Sequence, residues 1–246
     1  AGTRNGRYTA SGIDAVYLPF RVPAEHFEEF LSRATRWPLS GLSVTIPHKE
    51  AALKLCRHQD DLARAIGAAN TLTFAADGIK AHNTDATAAV ESLDAAIAEH
   101  EHLANASGMP VKTALVLGAG GAARAVAFGL RRKGIDVTVT SRTLERAEKI
   151  AAEVGCKSLA WNSRYRLPYD CLVNATPVGM HPNVDNPEST LLVKEARGVG
   201  CRTVTGVDMF VRQAAIQFRI WHGVDPAPNV MREALKRATA SAKQVS

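Results

Sequence analysis

The sequence predicts an α/β fold whose second part is a doubly wound sheet. Helical and strand-like segments alternate from residue 111 onward, the pattern of parallel strands joined by helical crossovers. Within that part, residues 113–124 (TALVLGAGGAAR) predict an apolar strand that ends in glycines and continues as a helix. Small residues at 103–110, with Gly108 and Pro110, predict a boundary in front of it. A chain of 246 residues is long enough for two domains of modest size.

The part before this boundary predicts a mixture of strands and helices. Residues 42–46 predict a short strand, so Lys49 follows a strand's carboxyl end, where α/β sheets usually carry their chemistry. Asp77 and Gly78 form a hairpin signal between two alternating segments. The remaining predicted elements are a buried strand at 13–20, helices at 24–36, 50–56, 60–66 and 86–102, and hairpin strands at 70–74 and 79–82.

The part after the boundary continues the alternation to the end of the chain. Asn174, Ala175 and Thr176 end one of its strands in a polar cluster, which we expect at the carboxyl edge of the sheet. The predicted strands are 113–117, 135–141, a short segment near 157–159, 171–176 and 202–205, and the predicted helices are 126–133, 144–154, 191–197, 208–221 and 229–243.

The glycine stretch predicts a turn that holds a pyrophosphate. Gly118 permits the tight turn, and Gly120 lets the backbone approach the anion closely. The first free N–H groups of the following helix, at Gly121 and Ala122, would then bind the anion. Ala123 occupies the third position of the fingerprint, which tolerates alanine. An ordinary strand, turn and helix without a nucleotide stays open as the alternative.

The end of the second strand of this unit predicts which dinucleotide binds. A carboxylate there bonds the ribose 2′-hydroxyl of NAD, whereas an arginine accommodates the 2′-phosphate of NADP. Here the strand ends in Ser141, Arg142 and Thr143 and has no acidic residue at its tip, which favours NADP. Two alternatives stay open, namely that Arg142 is only a surface charge and that Glu145 reaches the ribose.

Composition argues against several other classes of protein. The net charge of +6 and the pI near 9.3 come from dispersed basic residues without an aromatic-studded stripe, so we expect no nucleic-acid partner. The chain has no run of 18 apolar residues and no signal peptide, so we expect no membrane association and a cytoplasmic location. The four cysteines are scattered, and the Glu-His-Glu-His run at 99–102 lacks a receptive pocket, so we expect no metal site.

The ordered motifs resemble the shikimate dehydrogenase family over nearly the whole chain. They are VTIPHK at 44–49, GAANT at 67–71, NTD at 83–85, GAGGAAR at 118–124, NATPVGM at 174–180 and GVDMFVRQA at 206–214. The resemblance implies NADP-linked, reversible reduction of 3-dehydroshikimate to shikimate. It also implies two domains, a substrate-binding and catalytic domain at 1–105, completed by 226–246, and a Rossmann-type NADP domain at 106–225.

The resemblance also implies roles for individual residues. Lys49 and Asp85 match the family's catalytic pair, which suits a reaction that needs a proton donor within about 2.6–3.2 Å of a ketone oxygen. The matched substrate-binding positions are Thr45, Asn70 and Gln213, and the positions near the nicotinamide are Thr176, Gly206 and Met209. His48 has no catalytic counterpart in the family.

Each of these residues also has a structural interpretation that the sequence leaves open. Lys49 could be a solvated lysine, and Asp85 could cap the helix that follows it. Asn70 could support a turn, and Gln213 could be an exposed helical residue.

Two elements of the family pattern are absent from the sequence. A Ser-x-Ser element that holds the substrate carboxylate would align before Ala1, and Arg4 takes the place of a histidine. A strand that leads into Tyr-Asn-Pro is missing between Asp185 and Asn186. We expect that the natural protein contains both segments, so that its intact mass exceeds 26.3 kDa.

The resemblance leaves room for other functions and for a larger protein. One enzymatic alternative is a quinate or mixed quinate/shikimate dehydrogenase. An inactive NADP-binding relative is the alternative from another class. Because some relatives are fused to a dehydroquinate dehydratase, an upstream fused domain is also conceivable, and the sequence does not indicate an oligomeric state.

Overall fold

The computed structural model describes residues 13–104, 111–178 and 190–226, which form two four-stranded sheets with flanking helices. The predicted helix at 229–243, and with it the predicted return of the C-terminus to the first domain, lies outside the described residues. The junction between Asp185 and Asn186 lies outside them as well. Among the described residues, no helix is long and apolar enough to cross a membrane.

The first sheet has the strand order β1-β3-β4-β2. Its strands are β1 (Gly41–Ser43), β2 (His58–Gln59), β3 (Thr71–Ala75) and β4 (Gly78–His82). β3 and β4 are antiparallel with Thr71 opposite His82, which confirms the hairpin predicted from Asp77 and Gly78. The accompanying helices are α1 (Phe27–Ala34), α2 (Lys49–Leu55), α3 (Asp61–Ile66) and α4 (Thr84–Ala104).

The second sheet is parallel throughout and has the order β7-β6-β5-β8. Its strands are β5 (Thr113–Leu117), β6 (Asp136–Ser141), β7 (Lys157–Ala160) and β8 (Cys171–Asn174). Its helices are α5 (Gly121–Arg132), α6 (Leu144–Val154) and α7 (Leu191–Gly198). Val116, Val137 and Val139 of the sheet are fully buried against Leu130 of α5 and Ile150 of α6. This arrangement confirms the predicted Rossmann-type domain.

Two predicted strands are wrong. Residues 13–20 pair with no described strand, and Ile13 and Tyr17 pack instead beside Phe218. Residues 202–205 likewise form no ladder within the part of the chain that the structure describes. Both segments have strand-like residues, but a strand also needs a neighbour to accept its backbone hydrogen bonds. A third predicted strand, 42–46, shortens to β1, so five residues separate it from Lys49.

The last described helix, α8 (Gly206–His222), packs chiefly on α4 and β3 of the first half of the molecule. Trp221 Nε1 donates a hydrogen bond of 3.0 Å to Leu72 O. Gly41 allows this contact, because a Cβ atom there would clash with the Trp221 ring and with Leu72 O. Met209, near the start of α8, packs against the core of the second sheet, so the helix contacts both halves. The predicted division, which put 206–225 in the cofactor domain, stays a prediction.

Candidate active site

Lys49 and Asp85 form an ion pair between the starts of two helices. Lys49 is the first residue of α2 and Asp85 the second of α4, and Lys49 Nζ lies 2.6 Å from Asp85 Oδ2. The side chains are 18% and 11% exposed, so the pair is mostly buried but can still be reached from solvent. Lys49 is therefore not the solvated lysine of the alternative interpretation. An ammonium in this position can donate a proton to an oxygen that gains negative charge.

Asn70 holds the other oxygen of Asp85. Its Oδ1 accepts hydrogen bonds from Thr84 N at 2.9 Å and from Thr71 Oγ1 at 2.8 Å. Because these donors fix the orientation of the amide, Nδ2 faces Asp85 and donates to Oδ1 at 2.8 Å. Asn70 is only 2% exposed. The two carboxylate oxygens of Asp85 thus have separate partners, Asn70 and Lys49.

Asn83, not Asp85, caps helix α4. Asn83 Oδ1 accepts hydrogen bonds from Asp85 N at 3.1 Å and Ala86 N at 3.4 Å. Its Nδ2 donates to Ala68 O at 2.8 Å. The alternative interpretation of Asp85 as the cap is therefore wrong, and its carboxylate is turned toward Lys49. The helix N-terminus beneath Asp85 favours a negative charge there.

The glycine turn faces this ion pair. Gly118 has a φ of +114°, and a Cβ atom there would lie 2.9 Å from Ala175 O, so the turn requires glycine. Gly120 precedes α5, and a Cβ atom there would meet no atom within 4 Å. A Cβ atom on Gly121 would lie 4.0 Å from Lys49 Cδ. The start of α5, which includes Ala122, therefore lies next to Lys49. The free N–H groups at a helix start can bind an anion.

The tip of β6 lies beside the same turn. Gly118 N donates to Thr140 O at 2.8 Å, and β6 ends one residue later at Ser141. Ser141 Oγ accepts from Thr143 N at 3.3 Å, and Arg142 and Thr143 are exposed. Arg142 is therefore an exposed cation at the strand end that neighbours the glycine turn.

Other predicted site residues follow β8 or lie on α8. Thr176 follows β8, where its Oγ1 donates to Asn174 Oδ1 at 2.6 Å. Gly206 begins α8, and Met209 packs against the core of the second sheet. Gln213 is 9% exposed. It is therefore not the exposed residue of the alternative interpretation.

Gln213 and Thr45, two predicted substrate-binding residues, differ in exposure. Gln213 Oε1 lies 3.5 Å from Thr84 Oγ1, so the structure brings it next to the residue that precedes Asp85. Thr45 is exposed in the turn between β1 and α2, and its carbonyl accepts from His48 N at 2.9 Å.

His48 and the cysteines have structural roles. His48 Nε2 lies 2.9 Å from Val22 O, and its ring stacks on Phe27 at 4.5 Å, so its contacts lie away from the ion pair. All four cysteines are free thiols, and burial raises the pKa of Cys56 to about 11. Burial also raises the pKa of Cys171. In the described part of the chain, no cluster of three His, Cys, Asp or Glu side chains could hold a metal ion.

Comparisons with known proteins agree with this geometry. Three family models match: the shikimate dehydrogenase substrate binding domain over 3–72, shikimate/quinate 5-dehydrogenase over 100–175, and the shikimate 5′-dehydrogenase C-terminal domain over 206–236. A shikimate dehydrogenase (NADP(+)) from Methanosarcina barkeri is 36% identical and aligns with 95% of this chain and 91% of its own. The chain belongs to the shikimate dehydrogenase family. The third matched region begins with α8, which agrees with the separate packing of this helix.

Solved structures of relatives share the fold of this shikimate dehydrogenase family member. The shikimate 5-dehydrogenase from Thermus thermophilus, crystallised with NADP(H) and shikimate, is 33% identical with a TM-score of 0.82. The match covers 96% of this chain and 93% of that one. A quinate dehydrogenase from Corynebacterium glutamicum in complex with NAD is 27% identical with a TM-score of 0.81, covering 96% and 93%.

The alignment with the Methanosarcina barkeri protein bears on the missing segments. It extends over 265 positions, more than the 246 residues of this chain, so the relative has residues that this sequence lacks. The sequence motif at 83–85 predicts no role for Asn83 or Thr84, although Asn is a preferred helix cap.

Proposed function

We propose that this protein is an NADP-dependent shikimate dehydrogenase, which reversibly reduces 3-dehydroshikimate to shikimate. The observation that carries the proposal is the Lys49–Asp85 ion pair, whose lysine lies next to the helix that follows the glycine turn. A relative with the same fold was crystallised with both NADP(H) and shikimate. The retained ion pair also speaks against an inactive NADP-binding relative.

Lys49 is the proposed proton donor. Bound NADPH supplies the hydride that adds to the carbonyl carbon of the substrate. Lys49 donates the proton that the carbonyl oxygen takes up as it becomes a hydroxyl group, and it takes the proton back in the oxidation direction. Asp85 keeps the ammonium oriented and balances its charge, with its second oxygen held by Asn70.

The proposed cofactor site combines the glycine turn with the tip of β6. The residues fit the group, because the turn excludes a side chain at Gly118 and no carboxylate follows β6. Arg142 would bind the ribose 2′-phosphate, assisted by the hydroxyls of its neighbours. The proposed residues for the pyrophosphate, the 2′-phosphate and the nicotinamide are Gly118, Gly120, Gly121, Ala122, Ser141, Arg142, Thr143, Thr176, Gly206 and Met209.

The proposed substrate site lies on the first domain. Thr45 and Gln213 would bind hydroxyl groups of the ring from either side of the ion pair. Asn70 has a different proposed role, because its side-chain amide already forms hydrogen bonds with Asp85, Thr84 and Thr71. It orients the catalytic carboxylate and would reach a substrate hydroxyl only by exchanging one of those bonds.

An assay of NADPH oxidation with 3-dehydroshikimate tests the proposal. We expect turnover in the parent protein and a loss of roughly 10²–10⁴-fold in Lys49→Ala, the usual contribution of a general acid. NADPH binding should persist, because Lys49 is not among the proposed cofactor contacts. Lys54→Ala is the matched control, since it removes an exposed lysine from the same helix. Equal rates in Lys49→Ala and the parent would remove Lys49 from the mechanism.

Quinate with NAD or NADP as a second pair of reactants tests the enzymatic alternative. A higher kcat/KM for quinate with NAD than for shikimate with NADP would overturn the substrate assignment and the cofactor assignment together. The absence of a carboxylate at the tip of β6 leads us to expect the opposite result. The fused dehydroquinate dehydratase domain and the cytoplasmic location stay predictions.

A further inference from the structure

Gln217 is a fully buried amide on α8 that connects this helix to the site. It lies one helical turn after Gln213 and is 0% exposed. Its Nε2 atom lies 2.8 Å from Thr71 Oγ1, 3.1 Å from Asn70 O and 3.2 Å from Ser43 Oγ. Since burying an amide is unfavourable unless it is hydrogen-bonded, these contacts define where the side chain must point.

The directions of two hydrogen bonds of Gln217, to Asn70 and to Thr71, are fixed. The carbonyl oxygen of Asn70 can only accept, so the Gln217 nitrogen must face it. The hydroxyl of Thr71 donates its single proton to Asn70 Oδ1 at 2.8 Å and therefore accepts from Gln217. Donors and acceptors thus alternate without conflict from α8 into the site.

The same bonds continue to the reacting pair. Asn70 Nδ2 donates to Asp85 Oδ1 at 2.8 Å, and Asp85 Oδ2 accepts from Lys49 Nζ at 2.6 Å. An unbroken series of hydrogen bonds, here called the polar chain, therefore runs through Gln217, Thr71, Asn70, Asp85 and Lys49. All of its bonds lie within the first domain and α8.

We propose that Gln217 is a positioning residue for the Lys49–Asp85 pair and acts through Thr71 and Asn70. By holding both the backbone carbonyl and, through Thr71, the side chain of Asn70, it fixes the amide that orients Asp85. A displaced Asp85 holds the ammonium less well, and small errors in the position of a proton donor reduce the rate. The inference rests on the proposed function, because it assigns a role in the same reaction.

Trp221 supplies a control that distinguishes a positioning role of Gln217 from a purely structural one. It lies one turn after Gln217 on α8 and also bonds to β3, through the 3.0 Å contact with Leu72 O. That carbonyl is not part of the polar chain. Trp221→Phe therefore weakens the attachment of α8 without disturbing Asn70, and serves as the matched control for Gln217→Met.

The test compares kcat, the KM for NADPH and thermal stability of the two variants. Met keeps the volume of Gln217, removes its donor, and removes its Oε1, a buried atom without a hydrogen-bond partner among the described residues. We expect Gln217→Met to lower kcat roughly three- to ten-fold with an unchanged KM for NADPH. Trp221→Phe should retain the parent kcat. Equal kcat values for the parent and both variants would overturn the proposal.

A double-mutant cycle tests whether Gln217 affects kcat through Thr71, the next residue of the polar chain. Thr71→Val preserves shape and interrupts the chain one bond further on, so it should lower kcat by a similar factor. The double variant Gln217→Met/Thr71→Val should be no slower than the slower single variant. If the two losses multiply instead, the residues act independently and the proposal fails. Should Gln217→Met not fold, Thr71→Val alone decides by the same kcat criterion.

A readout without turnover separates this inference from the proposed function. The rate at which acetic anhydride acylates Lys49 at one fixed pH, read by mass spectrometry, reports how well Asp85 holds the amine. With a less well placed Asp85, this rate should rise in Gln217→Met but not in Trp221→Phe. An unchanged rate overturns the positioning role even if the parent enzyme is active. A parent that does not reduce 3-dehydroshikimate refutes the proposed function, while the acylation rate still decides the inference.

Discussion

Arg142 is the residue that we expect to discriminate NADPH from NADH. It is exposed directly after β6, next to the strand end whose Thr140 carbonyl accepts from the glycine turn. Loss of its charge-assisted bonds to a 2′-phosphate should weaken NADPH binding by about 1.5–3 kcal/mol in Arg142→Ala. NADH, which lacks that phosphate, should bind almost as before. Fluorescence titration with both cofactors measures the ratio.

Arg132→Ala is the control for this prediction. It removes the same charge from the exposed end of α5, at the opposite edge of the sheet from the β6 tip. An NADPH/NADH affinity ratio that is equal in Arg142→Ala and Arg132→Ala would refute the 2′-phosphate assignment.

At the level of single residues, the sequence identified Lys49 and Asp85 but not the groups that hold them. A lysine after a strand and an aspartate before a helix are visible in a linear pattern. Their 2.6 Å contact depends on two turns that lie far apart in the chain. Gln217 carries no such signal, because a glutamine on an amphipathic helix usually faces solvent. Only the packing of α8 shows that it is buried.

At the level of elements, helix α3 depends on Asp60. This residue caps the N-terminus of α3 and also contacts strand β4 of the β3–β4 hairpin. Asp60 Oδ1 accepts from Ala63 N at 2.5 Å, and Oδ2 lies 3.0 Å from His82 Nδ1 at the end of β4. Asp60→Ala should lower the free energy of unfolding by about 1–2 kcal/mol, the usual effect of losing an N-cap. Asp61→Ala, an exposed change in the same first turn, should have little effect. Urea unfolding measures both.

The contribution of Asp60 to stability should decrease at low pH. Burial raises the pKa of Asp60, but hydrogen bonds from His82 and Ala63 outweigh it and leave the pKa below the ordinary 3.8. A lowered folded-state pKa contributes stability that is complete above the unfolded value and is lost as pH falls through the folded value. The difference in the free energy of unfolding between the parent and Asp60→Ala should therefore decrease below pH 3.8, as measured by urea unfolding at several pH values. A difference that widens there contradicts the assignment.

The elements that sequence reasoning placed correctly are those whose stabilising contacts are local. α6 matches its predicted range of 144–154, and the hairpin has its predicted Asp77-Gly78 turn. The segments at 13–20 and 202–205 have the composition of strands but no described partner, which composition cannot reveal.

In the whole molecule, Arg124 connects the two halves near the glycine turn. Its side chain is 14% exposed, with Nη1 3.5 Å from both Ile66 O and Glu50 Oε1 in the first half. Its Nε lies 3.1 Å from Glu153 Oε2 on α6. We expect Arg124→Met to lower the free energy of unfolding by about 1–2 kcal/mol. This is less than the loss of short charge-assisted hydrogen bonds would cause, because two of the contacts are 3.5 Å long.

Arg33→Met is the control for this bridging role. Its pair with Glu29 is exposed and lies within one helix, so its loss should change stability by less than about 0.5 kcal/mol. Equal losses in Arg124→Met and Arg33→Met, measured by urea unfolding, would show that Arg124 does not join the two halves.

The attachment of α8 to the first sheet sets the order in which the active site is completed during synthesis. Gln217 follows its partner Thr71 by 146 residues. At ribosomal speeds of about 5–20 residues per second, α8 emerges roughly 7–30 s after β3. A nascent chain therefore completes the strand and helix around the glycine turn before it can secure Asn70 from α8. If Gln217 positions Asn70 as proposed, the final orientation of Lys49 is a late product of folding.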